Sequence, residues 1–171
     1  MKINLIRPTT ELRESCLEAI RELSVDPDFQ ETLDWFYDVG PDFEAYVKDM
    51  LARSTRRTET IVPETIFWAE SGGEFVGRIS IRHDLTPGLA RIGGHIGYDV
   101  RPSFRKKGIA SEMLRLALPH AKSFGIQKAL LTCDENNAGS IKVIEKNGGV
   151  LEGKLDMGEG HPRKLRYWIN L

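Results

Sequence analysis

The chain has no apolar run approaching the roughly twenty residues that a membrane-spanning helix requires, and its apolar opening (Met1-Lys2-Ile3-Asn4-Leu5-Ile6-Arg7-Pro8) is too short for a signal sequence. It has little cysteine. The two thiols, Cys16 and Cys133, lie far apart with no ligand-pair spacing, which argues against a disulfide framework and suits reduced thiols in a cytoplasmic protein. An excess of either charge is also missing: 24 lysines and arginines face 25 acids, a net charge of −1. Such a balance supplies no overall field for nucleic acid or an anionic membrane, so neither is expected as a partner. His83, His120 and His161 show no metal-ligand spacing, and no metal is expected. Repeats, low-complexity stretches and long linkers are absent. So are the nucleotide P-loop and the dinucleotide fingerprint; Gly93, Gly94 and Gly97 read as part of a strand. What remains is an ordinary globular composition, 40% hydrophobic and 29% charged over 171 residues, which fits one domain spanning 1–171.

The patterning alternates between strand and helix. Residues 2–7 read as a strand ended by Pro8, and Thr9 or Thr10 caps a helix carrying Leu12, Cys16, Ala19, Ile20 and Leu23 at helical spacing. Residues 26–42 form a loop or broken helix, 43–53 a second helix, and 54–64 a polar connector. Three antiparallel strands follow at 65–70, 75–83 and 90–100, with a hairpin at Gly72-Gly73 and a turn at Thr86-Pro87-Gly88. In the middle one, Phe75, Ile79 and Ile81 are expected on one face. A helix at 108–124 stops at Gly125, a buried strand spans 128–133, and a helix at 137–147 ends at Gly148-Gly149. Two strands, 150–155 and 164–171, close the chain. The fold class is therefore α/β (α+β): a mixed, mostly antiparallel sheet of about seven strands covered by helices on both faces, with one parallel crossover.

One junction carries chemistry. A strand exits at Val100, Pro102 stops it, and the basic, glycine-bearing turn Arg105-Lys106-Lys107-Gly108 leads straight into the amphipathic helix that begins Ile109-Ala110-Ser111. The first amides of such a helix lack intrahelical partners and, with the helix dipole, form an anion site. Gly108 allows close approach to the backbone, Ala110 stays small, and three cations add charge, a combination that suits a diphosphate.

The stretch Ile96-Gly97-Tyr98-Asp99-Val100-Arg101-Pro102-Ser103-Phe104-Arg105-Lys106-Lys107-Gly108-Ile109-Ala110-Ser111 resembles motif A of the GNAT superfamily of N-acetyltransferases. Asn137-Ala138-Gly139-Ser140, followed by a helix ending Glu145-Lys146-Asn147-Gly148, resembles its motif B. The closing Arg166-Tyr167-Trp168-Ile169 is similar to a bacterial branch of predicted acetyltransferases. The resemblance implies an acetyl-CoA-dependent N-acetyltransferase with a splayed pair of parallel strands around the cosubstrate. It implies that the pantetheine arm pairs with the backbone of Tyr98, Asp99 and Val100, and that the pyrophosphate rests on the amides of 106–111. Asn137 and Ser140 contact the arm in this reading. The acceptor is a primary amine of a small molecule or peptide, and a homodimer is one assembly the family adopts.

The same resemblance nominates catalytic groups. His95 stands where related enzymes often carry a glutamate, which makes it the first candidate base, with Asp99 behind it. Where many members place a tyrosine acid, this chain has Ile144. Tyr98, Tyr167 or Ser140 could supply the proton instead, or water could. Cys133 reads as a small buried hydrophobe. Asp34-Trp35-Phe36-Tyr37-Asp38 suggests an acidic, aromatic wall for a cationic amine. The alternative is a module that binds acetyl-CoA and transfers poorly.

Overall fold

The computed structural model describes residues 1–27 and 38–171. A short strand, β1 (Asn4–Ile6), is followed by a 3-10 turn whose start is fixed by Thr9, whose hydroxyl accepts the Glu11 N–H. That turn runs into α1 (Arg13–Ser24), which buries Cys16, Ala19 and Leu23 at helical spacing. Asp42 caps α2 (Phe43–Ala52) by accepting the amides of Glu44 and Ala45. Then come β2 (Glu64–Ser71), β3 (Glu74–Arg82), the short helix α3 (Pro87–Arg91) and β4 (Ile96–Val100). The chain continues through α4 (Ile109–Ser123), β5 (Lys128–Asp134), α5 (Ala138–Lys146), β6 (Val150–Leu155) and β7 (Lys164–Asn170).

Among the described residues the strands form two antiparallel sheets, ordered β1-β2-β3-β4 and β5-β7-β6. They meet between β4 and β5, where a single bridge joins Gly94 to Leu131. The β4–β5 pair makes no ladder, so the two sheets part along most of their shared border. That parting creates the cleft described below.

Both faces of β2 and β3 are buried, which explains their nearly continuous apolar runs. One face packs against α4 through Phe67, Ile79, Ile81, Met113 and Leu114. The other packs Ile66, Trp68 and Phe75 against α1 and α2. Phe75 is thus on the opposite side from Ile79 and Ile81, against the alternation expected from sequence. A bulge at Ala69/Glu70 sets Glu70 opposite Phe75 and Ala69 opposite Gly77, which reverses the parity. Phe75 then meets Trp68 edge-on, with ring centroids 5.2 Å apart.

The segment before β4 also differs. A strand was expected from residue 90, yet residues 87–91 are helical. Thr86 caps this turn by accepting the Leu89 N–H, and Pro87 occupies the first helical position. Gly93 (φ +105°) and Gly94 (φ +67°) then turn the chain, so they lie outside the strand rather than in it.

Candidate active site

A cavity of about 240 Å³ opens where β4 and β5 separate. Alternation along β4 gives it two sides. Ile96 and Val100 join the cluster under α4, and Tyr98 packs against it. Asp99 points the other way, to an ion pair with Arg78 (3.2 Å) in which both side chains are nearly inaccessible. This pair is within electrostatic reach of Tyr46, and Asp99 also of Cys16, on the α1–α2 side. The cavity is lined from α5 and β5 by Ser140, Ile144 and Thr132.

Tyr98 presents the phenol. Its hydroxyl is buried with no close hydrogen-bond partner among the described residues, and Ser140 is a longer-range polar neighbour. Burial pushes the phenol up to about 12, although Ser140 opposes the shift. It therefore keeps its proton at neutral pH and can donate it. Ser140 gives its own amide to Asn137 Oδ1 at 2.9 Å, so Asn137 is the N-cap of α5. The cap uses the side-chain oxygen, and Asn137 is exposed.

Ile144 is buried and lines the cavity. The Tyr167 hydroxyl donates to Glu145 Oε1 (3.2 Å) and is not part of the lining. Cys133 is buried, and desolvation drives its thiol up to about 11, which makes it a poor nucleophile. Asp34, Trp35, Phe36 and Tyr37 lie outside the described residues.

His95 sits at the closed end of the cleft. Its N–H donates to Leu130 O at 2.7 Å, and its ring Nδ1 accepts the Leu130 N–H at 2.9 Å. The ring is not part of the lining. Its pKa is lowered, first by burial and then by Arg82.

Beyond β4 the chain turns through Lys106 (φ +61°) and Gly108 (φ +79°) before entering α4. Left-handed residues thus stand on both sides of Lys107, a backbone pattern compatible with an anion nest. Gly108 caps α4 without any side-chain bond, and Glu112 makes the first backbone bond back to Gly108 O. The amides of Ile109, Ala110 and Ser111 precede that bond and belong to the orphan set of a helix start. No heavy atom lies within 4 Å of where a Gly108 Cβ would be, so the space beside the turn is open. Arg105 pairs with Asp26 at 2.5 Å and donates to Val100 O. Lys107 bonds Ser103 O and lies over the Phe104 ring.

Sequence reasoning missed the group that anchors this turn. Arg101 is 4% exposed and pairs with Glu22 (2.7 Å) and Glu18 (2.8 Å) of α1. Glu22 also accepts the Ser103 amide and hydroxyl. The i,i+4 acids on α1 were visible in the sequence, but nothing local tied them to a residue about eighty positions away.

Among the described residues, no cluster of three or more His, Cys, Asp or Glu is placed to hold a metal ion, and no helix is long and apolar enough to cross a membrane. The sequence profile described as "Acetyltransferase (GNAT) domain" matches residues 5–150. The chain belongs to the GNAT acetyltransferases. No curated protein is significantly similar in sequence. Several solved structures of this acetyltransferase fold superpose over nearly the whole chain. The microcin C7 self-immunity acetyltransferase MccE, solved with acetyl-CoA and AMP, matches with a TM-score of 0.73 at 18% identity, covering 99% of this chain and 93% of that one. RimL, the ribosomal L7/L12 alpha-N-protein acetyltransferase solved with coenzyme A, matches at 0.69 and 20% identity, covering 100% and 95%. A GNAT acetyltransferase from Streptococcus pneumoniae matches at 0.67 and 16% identity, covering 99% and 98%. These likenesses extend the shared fold to the N-terminal helices and closing strands.

Proposed function

We propose that this GNAT acetyltransferase moves an acetyl group from acetyl-CoA directly to a primary amine of a small molecule or peptide. One observation carries the reading: β4 and β5 part over a cavity lined by Tyr98, Asp99 and Ser140, and β4 leads through the open, left-handed turn at Lys106–Gly108 to the first amides of α4. A diphosphate on those amides sends the attached arm along β4. MccE and RimL, with acetyl-CoA and coenzyme A respectively, support the same ligand chemistry on this fold.

The cosubstrate supplies a thioester and a thiolate leaving group. The chain supplies what surrounds them. The backbone of Tyr98, Asp99 and Val100 offers the arm an unpaired strand edge, because β4 makes no ladder with β5. Tyr98, protonated below about 12, donates to the departing sulfur, and Ser140 polarises the phenol. Asp99 is the lining carboxylate on the α1–α2 side and accepts the proton of the incoming amine, directly or through one water. No residue forms a covalent intermediate in this scheme, consistent with the inert Cys133.

The experiment is calorimetric titration with acetyl-CoA, followed by thiol-release assays against a panel of small amines and peptide N-termini. Failure to bind acetyl-CoA overturns the reading. Binding without amine-dependent thiol release favours a second reading, a cosubstrate-binding module with weak transfer. Its specific support is Ile144 at the position where many relatives carry the acid.

A further inference from the structure

The closed end of the cleft is built from one small region. α3 ends against β7, where Arg166 donates to the carbonyls of Ala90 and Arg91. Gly93 N–H donates to Thr132 Oγ1 (3.0 Å), Gly94 bridges Leu131, and Arg82 donates to Gly94 O. A Cβ on Gly94 would sit 2.2 Å from Leu130 O, so only glycine lets the backbones come this close.

Beyond this single bridge β4 and β5 do not pair, and β5 faces a difficulty. The Leu130 backbone is fully buried, and with β4 moving away its amide has no strand carbonyl to meet. An unpaired buried amide costs about 1–3 kcal/mol. The imidazole of His95 fills the gap: its Nδ1 accepts the Leu130 N–H, while the backbone N–H of His95 donates to Leu130 O. A side chain thus stands in for the missing backbone acceptor on the last residue before the strands separate.

We propose that His95 is a positioning residue: its neutral imidazole, by accepting the Leu130 amide, fixes where β4 and β5 part and so sets the width of the cleft that receives the acyl-CoA arm. The proposal rests on the reading of the cleft given above and removes His95 from the role of general base. The bond requires the proton on Nε2 and none on Nδ1. A protonated ring would set two donors against each other. The charged and titratable groups around the ring are Arg82 on β3 and Asp84 just beyond it. Trp168 on β7 packs nearby (6.4 Å), itself contacted by Lys128 of β5 and Glu152 of β6. Burial and Arg82 favour the neutral ring, while Asp84 opposes them. The bond is therefore whole above about pH 6.5, the ordinary imidazole value, and is lost as pH falls through the lowered one.

His95→Asn separates this role from catalysis, because Asn Oδ1 occupies nearly the place of His Nδ1 and accepts a hydrogen bond but cannot act as a base. Hydrogen exchange at the Leu130 amide, read by NMR without acetyl-CoA, tests the bond itself. Slow exchange in wild type and His95→Asn, with at least about tenfold faster exchange in His95→Ala, is the expected result. Should His95→Ala not fold, acidification serves: Leu130 exchange accelerates relative to neighbouring β5 amides in wild type but not in His95→Asn. Acetyl-CoA affinity should fall about tenfold in His95→Ala and less than threefold in His95→Asn. Equal Leu130 exchange in all forms overturns the proposal. So does a loss of about 100-fold in kcat for His95→Asn with unchanged acetyl-CoA affinity, the signature of a base. If wild type does not bind acetyl-CoA, the cosubstrate reading fails, while the exchange data still decide the role of His95.

Discussion

Asp26, just beyond the end of α1, forms a 2.5 Å ion pair with Arg105 in the turn that leads into α4. The pair couples the segment entering residues 28–37 to the site proposed for the pyrophosphate. A carboxylate beside a diphosphate opposes binding, and it also engages a guanidinium that would otherwise face the phosphates. Asp26→Asn should therefore tighten acetyl-CoA binding about threefold at low salt, the scale of a partly exposed ion pair. Calorimetry at two ionic strengths checks this, and the gain should shrink in the higher salt.

Gly108 separates binding from folding. Its φ of +79° carries a cost of about 1–2 kcal/mol for any L side chain, but no heavy atom stands within 4 Å of the added Cβ. Gly108→Ala should fold with slightly lowered Tm. Gly108→Glu should fold similarly yet lose measurable acetyl-CoA affinity, because its charge and bulk occupy the open side of the turn. The thermal shift given by saturating acetyl-CoA, worth about 2.7 kcal/mol at 100 Kd, should vanish in the Glu variant alone.

The parts of this molecule that were legible in the sequence are those with local causes. The turn at 105–108, the cap at Asn137 and the stops at Gly125 and Gly148 announce themselves in a few adjacent residues. The illegible parts depend on distant partners. Gly94 is required by Leu130 O, Phe75 changes sides because of a bulge opposite it, and Arg101 is buried by acids on α1. His95 is the instructive case: resemblance put a candidate base at that position, and only the three-dimensional pairing revealed the amide that its ring accepts.

Tyr98 should act through its proton. Tyr98→Phe keeps the ring packed against the α4 cluster and removes the hydroxyl, so acetyl-CoA affinity should hold while kcat falls about 100-fold. Because burial holds the phenol near 12, the wild-type rate should show no decline attributable to this residue below about pH 10. A kcat within threefold of wild type in the Phe variant would move the acid to water.

Glu22 gives the protein an acid-sensitive anchor. Burial would raise its carboxyl, but the Ser103 amide, Arg101 and the Ser103 hydroxyl outweigh that and hold it below the ordinary glutamate range. A carboxylate with a depressed folded pKa stabilises the fold above its unfolded value, about 4.3, and loses that contribution as pH falls through the folded one. Glu22→Gln should therefore lower Tm at pH 7 and flatten the fall of Tm below about pH 4.3. The same change loosens Ser103 and Arg101, which lead into the turn proposed to hold the cosubstrate, so KM for acetyl-CoA should rise more than kcat falls. Melting curves between pH 3 and 7, with steady-state kinetics at pH 7.5, test both halves. A pH profile identical to wild type would show that the anchor does not depend on the charge of Glu22.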